Sequence, residues 1–593
     1  MSLATQRNRL GREPVVIVEL DLDYCPLTYG GGACTAAIGT TGAVKCYNTR
    51  STCQVPPAYR ANPATKTYRF SSVMLPAGAI QAIPSVLSYS PAPTVLDPAK
   101  SLGSRASVTV TLQDHPQSDH GIDKYVAERT YNSATTGTFW GKLIRRNKFY
   151  NGRIMRVRVG YLTNPVDFAN FQTYVYVIDQ ISGPDSAGRV KIVGKDLLKL
   201  ADDTRAQAPL ANTGKLSADL SLLGTSATVV VTGSRTIDDE YAHSGTVRIG
   251  DECCDFTRAP ASSTLTLLRG THGTVAAAHS KDDSVQQCVV YTKRLVQDIV
   301  YDLLTVHGNV PTQYIDKTAW DAEAATWLPG KLSAVISKPM GVTELLNELT
   351  QQALFSIWWD ERTQLVQFRA LRPARFGETT PISDDNNVVS GSLATAEDPT
   401  LRISQVWVFY GLRSPTRDDT KAESYSQLAI TADLDAEGAD EYGDQRITQI
   451  MSRWFPVDGS ATNANLLGNR LVYRYRNAPR TLTVKVDAKD ALWTGDVAQV
   501  TSKVVQDDTG APATTLFQVI AATETVPGHE FKLDMQDTFF KGRYGFIAPN
   551  TEGVYTASSD ADRDLYAWAC PGGWPSVTTA ALFADGTEPY KII

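Results

Sequence analysis

ASVTVTLQD, residues 106–114, alternates Val108, Val110 and Leu112 with serine, threonine and glutamine. A period of two places the three aliphatics on one face, the pattern of a half-buried strand. The same texture spreads outward. Upstream, PVVIVELDL (14–22) and TYRFSS (67–72) read as strands, and residues 76–100 form a Pro- and Ser-rich connection. Downstream, RIMRVRVGYL (153–162), FQTYVYVIDQI (171–181) and GRVKIVGKDLLKLAD (188–202) continue as strands, with KDLLKLAD a short attached helix. Residues 216–250 and GTVRIGDECCDFTRA (245–259) add a further β-rich piece.

Composition agrees with many strands and turns. The chain has 593 residues, enough for several cores, with 42 glycines and 30 prolines. Charged residues make up 20% and the net charge is -6 without a basic tail, which disfavours non-specific nucleic-acid binding. MSLATQRNRLGREP has no apolar run of the secretory kind, and no run of about 18 apolar residues predicts a membrane span. Synthesis in the cytoplasm is the expectation.

Helical periodicity enters at YTKRLVQDIVYDLLTVHG (291–308), where Leu295, Ile299, Leu303 and Val306 fall on one face and Gly308 is a stop. A second helix is predicted over 341–354. FSIWWDERTQLVQFRAL (355–371) then reads as a hairpin with DERT as its turn. RISQVWVFYGL (402–412), residues 468–487 and TLFQVIAATE (515–524) read as strands. The acidic segment 413–444 reads as an exposed loop or solvent-facing helix.

Four of the eight cysteines sit at 25, 34, 46 and 53, among glycines. The tight knuckle pairs of zinc ribbons are absent, and so is the close spacing of bacterial ferredoxins. Four thiolates can still converge on one soft centre through long loops. A shared metal, two disulfides or free thiols all remain open at this point. Cys253 and Cys254 adjoin in a predicted strand and point to opposite faces, one to a core and one to an interface. Cys288 reads as core, and Cys570 as surface or packing.

Enzyme signatures are scarce. No G-x-S-x-G elbow, phosphate loop or H-E-x-x-H occurs. His115, Asp119 and His120 in HPQSDH could ligate a metal, although a polar turn after a strand reads the same way. RGTHGTVAAAH (269–279) lacks the lysine and serine of a phosphate site and reads as a packed turn joining two β-pieces.

Taken in order along the chain, the motifs resemble one family. The four-cysteine segment, DHPQSDHGIDKY, GTFWGKLIRRNKFYNGR, VKIVGKDLLKLADDTRAQAP, RGTHGTVAAAH, APNTEGVYTASSDADRDLYAWAC (548–570) and the closing DGTEPYKII are similar to landmarks of baseplate hub, or tail-tip, proteins. These belong to long non-contractile-tailed bacteriophages (siphophages) and gene transfer agents. The resemblance implies a mainly β, multidomain fold with a small α+β unit, built from hub domains of the tail-tube and contractile-hub type plus a Cys-rich N-terminal domain. Expected boundaries are a Cys-rich metal-binding domain at 1–95, a first hub β-domain at 96–215, and a β-rich insertion at 216–289. The small α+β domain spans 290–375 and the C-terminal hub β-domain 376–593.

The resemblance further implies that Cys25, Cys34, Cys46 and Cys53 hold a [4Fe-4S] cluster, with zinc as the alternative. It implies no catalysis, and a homotrimer that closes the tail tube at the virion's tail tip. Its partners would be a distal tail protein, central fibre and other tail-tip proteins, and a tape-measure protein. The chain stops at 593 without long receptor-binding extensions, so receptor binding is expected of another protein. Two other readings stand beside this one. One is a β-sandwich carbohydrate-binding or adhesion protein, which would show aromatics on one exposed face. The other is a tail-associated cell-wall hydrolase, which would show a cleft with a perturbed carboxylate or a Cys–His pair.

Overall fold

The computed structural model describes residues 3–538 except 10, 79, 99–100, 130–136, 203–205, 376, 458–460 and 491, and beyond them residues 558–559, 567–569 and 590–592. Most of the sequence motif at 548–570, including Cys570, and most of the closing segment fall outside the described residues. Two units are distinguished, Met1–Phe539 and Phe540–Ile593. In the second, Ala567–Ala569 pairs antiparallel with Tyr590–Ile592.

The alternating strand at 107–113 lies in an eight-stranded sheet. Its order is Ile83–Pro84, Ala64–Ser71, Pro14–Tyr24, Ile154–Tyr161, Phe171–Ser182, Arg189–Lys195, Ser107–Gln113 and Val86–Ala92. The central strand Pro14–Tyr24 shows how sequence sets its faces. Val16, Val18, Leu20 and Leu22 enter the core. Glu19, Asp21 and Asp23 alternate onto the opposite face and meet arginines from both sides. Glu19 pairs with Arg69 at 2.7 Å and Arg158 at 3.0 Å, Asp21 with Arg156 at 2.6 Å, and Asp23 with Arg153 at 2.8 Å. Opposite charges directly across a sheet support one register, because a one-residue slip would turn them into the core.

A six-stranded sheet from the far end of the chain shares that core. Its order is Thr379–Ser383, Val497–Gln506, Pro512–Val526, Glu530–Asp537, Arg480–Asp487 and Ala394–Glu397. Val18, Val110, Trp140 and Val157 of the first body cluster with Val484, Val500, Phe517 and Leu533 of the last. Tyr174 and Trp493 lie 5.6 Å apart between ring centres, Arg12 pairs with Asp487 at 2.7 Å, and the Tyr161 hydroxyl donates to the Gly528 carbonyl.

Three bodies intervene. Residues 215–287 form a six-stranded sheet with a core of its own, including Leu216, Val229, Val247, Cys254, Phe256 and Leu265. The second is α+β: Val289–Leu295 pairs with Lys331–Ile336, and helices Val296–Asp302, Lys317–Trp327 and Val342–Ala353 precede the hairpin Phe355–Asp360/Leu365–Ala370. The third is a three-stranded sheet, Tyr425–Ala432, Gln405–Leu412 and Ile447–Met451, with helix Ala461–Tyr475 packed on it. The second and third share one core.

The fold is mainly β and multidomain, with one correction. The Cys-rich N-terminal domain is not a distinct body. Residues 25–63 are a long connection between Pro14–Tyr24 and Ala64–Ser71, which are paired neighbours in the eight-stranded sheet. Gly-, Thr- and Ala-rich sequence cannot build a core alone, so the connection leans on residues 119–149 instead.

Local assignments also shift. Tyr291–Leu295 is strand, not helix, because pairing with Lys331–Ile336 overrides the helical spacing. The helix starts at Val296 and ends in a π-helical turn, Leu303–His307. Residues 461–475 are helix where a strand is expected from 468, and the strand begins only at Arg480. The acidic segment 413–444 contains the edge strand Tyr425–Ala432.

Candidate functional site

Cys25, Cys34, Cys46 and Cys53 border one small cavity, together with Leu27, Tyr29, Asn48, Thr49, Ala58 and Tyr59. Backbone hydrogen bonds shape it. The Cys25 amide donates to the Asn48 carbonyl at 2.7 Å, and the Asn48 side chain donates to the carbonyls of Cys25 and Leu27, both at 3.0 Å. Asn48 adopts positive φ, a conformation asparagine tolerates.

Outside the cavity the connection is clamped. The Tyr125 hydroxyl accepts from the Tyr29 amide at 2.7 Å. Arg129 donates to the carbonyls of Lys45 and Cys46 at 3.1 and 3.0 Å and pairs with buried Asp123. The Tyr47 ring lies between two guanidinium groups, Arg129 and Arg146, each 3.9 Å from its centre. Arg146 in turn holds Asp119 at 2.7 Å. Asp119 of HPQSDH is therefore an ion-pair residue, and His115 stacks on Phe139 at 5.3 Å.

The cysteines converge, but the expected cofactor does not follow. Among the described residues, no group of three or more His, Cys, Asp or Glu side chains is placed to hold a metal ion. The cavity between the thiols measures about 10 Å³, room for roughly one water. Both the [4Fe-4S] cluster and the zinc alternative are corrected on this ground, along with the metal-binding and iron–sulfur descriptions of Cys25, Cys34, Cys46 and Cys53. All four are free thiols. Burial pushes the thiols of Cys25 and Cys46 up from their ordinary value, with neighbouring cysteines adding to the shift. Less thiolate means slower alkylation, since the thiolate fraction falls about tenfold per pKa unit and the greater nucleophilicity of a more basic thiolate offsets only part of that. Iodoacetamide at pH 8 is expected to label Cys25 and Cys46 more slowly in the native chain than in denatured chain, read by peptide mass spectrometry.

The motif at 269–279 has a different physical account. It wraps a carboxylate that the sequence reading did not single out. Glu252 is 1% exposed. Arg269 grips both its oxygens at 2.7 Å, and His279 Nε2 lies 2.9 Å from Oε2. The Gly270 and Ala277 amides donate at 2.9 and 3.0 Å. Burial alone would raise the Glu252 carboxyl, but Arg269, the Ala277 amide and His279 hold it well below the usual carboxylate range. Arg269 also donates to the carbonyls of Ser221 and Gly224 at 3.1 and 2.7 Å, and to that of Ala277. One carboxylate thus ties two loops to the strand Glu252–Thr257. The only sequence signal was its alternation with Cys254, which faces the same core.

Cys253 and Cys254 are both buried, Cys254 in the insert's core and Cys253 beside the buried Cys288. An open groove of about 210 Å³ lies between His272 of the insert and Tyr291, Ser333, Leu412 and Arg453. Its lining includes neither the perturbed carboxylate nor the Cys–His pair that a hydrolase reading requires. Among the described residues no helix is long and apolar enough to cross a membrane.

No family model matches the sequence, and no curated protein matches it. Solved structures are similar over much of the chain. A prophage tail protein of Shewanella oneidensis is 10% identical with a TM-score of 0.35, covering 76% of this chain and 94% of that one. A tail protein from Neisseria meningitidis is 11% identical with a TM-score of 0.33, covering 76% and 90%. An E. coli type VI secretion component, described as similar to phage tail proteins, is 10% identical with a TM-score of 0.31, covering 87% and 91%. None of these descriptions states a catalytic activity. All three TM-scores lie below 0.5.

Proposed function

We propose that this protein is a structural component of a phage-type tail tip, acting as a hub. Three copies form a ring about the tail axis that closes the tube. The ring anchors a distal tail protein, a tape-measure protein and the central fibre or other tip proteins. The order of sequence landmarks supports the family. The carrying observation is geometric: the eight-stranded and six-stranded sheets, from opposite ends of the chain, stack on one core. Each copy supplies both sheets on their shared core, and three copies supply six, the count that a sixfold tube presents.

Edge strands fit the same role. Val86–Ala92 and Ile83–Pro84 bound the first sheet, and Thr379–Ser383 and Ala394–Glu397 bound the last. Ala394–Glu397 is exposed along its whole length. Open edges invite pairing, and closure into a ring covers them. A cyclic trimer uses two different patches at each interface. The cysteine connection then serves as packed scaffold on the first sheet.

A cryo-electron reconstruction of the tail end is expected to place three copies on the axis. A different copy number, or an off-axis position, overturns the reading. Glycan binding or cell-wall cleavage by the purified chain would replace it with the adhesion or hydrolase alternative.

A further inference from the structure

Glu361 sits in the turn of the hairpin Phe355–Asp360/Leu365–Ala370, yet it is only 3% exposed. Turn glutamates ordinarily stand in water. This turn is plugged into a junction of three bodies. Beside it, Trp359 Nε1 donates to the Val175 carbonyl of the eight-stranded sheet at 2.9 Å. The Thr94 hydroxyl donates to Glu361 Oε1 at 3.4 Å from the connection between sheet strands. The Arg362 guanidinium lies over the Trp493 ring, 4.7 Å from its centre, in the body of the last sheet.

The charged groups acting on Glu361 are acidic. Asp360 comes from its own turn and Asp196 from the end of the strand Arg189–Lys195. Tyr89, Tyr174 and Tyr176 of the first sheet lie within electrostatic reach of Glu361 and of Glu524 of the last sheet. Arg362 is the adjacent cation, and Arg7 acts on Glu524. We propose that Glu361 is a proton-gated latch: its neutral carboxyl keeps the hairpin tip seated among the three bodies, and loss of the proton unseats it.

The sign follows from where the proton is held. Burial, with Asp360 and Asp196 adding to it, pushes Glu361 from 4.5 up to about 8. Burial likewise pushes Glu524 up to about 7. Below the ordinary value both seated and unseated forms are protonated and stability is complete. Between pH 4.5 and about 8 the unseated form sheds its proton while the seated form keeps it, so seating weakens steadily as pH rises.

The test uses the full chain. Its thermal midpoint is measured from pH 5 to pH 9 for wild type, Glu361→Gln and Glu524→Gln. Wild type is expected to lose several degrees across this range, and E361Q, an uncharged near-isostere, to lose less than half as much. Parallel curves for wild type and E361Q overturn the proposal, as does a slope abolished by E524Q alone. A measurement on wild type alone stands beside it. Hydrogen-exchange protection of 355–370, corrected for intrinsic rates, is expected to fall at least tenfold between pH 6 and pH 8.5 relative to 215–287. Unchanged protection overturns the proposal.

Discussion

Arg269→Ala is expected to unfold the insert at 215–287 while the two large sheets stay folded. The substitution strands the Glu252 carboxylate, 1% exposed, without the guanidinium that grips both its oxygens. Breaking a buried pair from one side costs about 3–5 kcal/mol, because an uncompensated charge is left behind. That is a large share of the stability of any single domain. Loops 221–224 and 270–277 lose their tie as well. Hydrogen exchange at pH 7 should show protection lost over 215–287 and retained over 14–24 and 480–487. Glu252→Leu combined with Arg269→Met should recover part of it, since replacing both charges by apolar groups is often neutral, while the Gly270 and Ala277 amides and His279 lose their acceptor. Acid should imitate the single variant. Glu252 has a depressed carboxyl, so its contribution is present above 4.5 and is lost as pH falls below that value. The insert and the Glu361 junction therefore answer pH in opposite senses.

Ile299→Asp is the second large effect. Ile299 is fully buried in the helix Val296–Asp302, in one core with Leu303, Leu345, Phe355 and Phe368. A carboxylate there loses its hydration without a partner, at a cost of several kcal/mol. The variant is expected in the insoluble fraction, or soluble without protection across 296–370. Leu295→Asp should be milder, because Leu295 is only half-buried and ends a strand. Equal damage from both would return Leu295 to a buried helix face.

The contrast between those two leucine and isoleucine positions shows what sequence carries. Period two is a local property, so 107–113, 154–161 and 189–195 were legible as strands. Helical spacing over 291–308 was equally local, but pairing with 331–336 recruits its first five residues into a sheet. RLVYRY satisfies both periods, and only packing against the three-stranded sheet makes it helix. Legibility at the sites follows the same division. The cysteines could be seen to cluster, and they do share a cavity, but the width of that cavity is a tertiary fact. Glu252 and Glu361 carry little sequence signal of their own, because acidic residues beside glycines and turns normally face water. Their burial is imposed by elements 17 or more residues away, such as Arg269 and Thr94.

The joining of the first and last sheets has a consequence for how the chain is made. Val18 and Val110 emerge from the ribosome hundreds of residues before Val484, Phe517 and Leu533, the partners that cover them. The apolar face of the eight-stranded sheet stays open until those partners arrive, whereas the insert's core closes within residues 216–285. Closing so long a span is slow, and exposed strands aggregate in the interval. A chain interrupted before residue 480 would keep that face bare permanently.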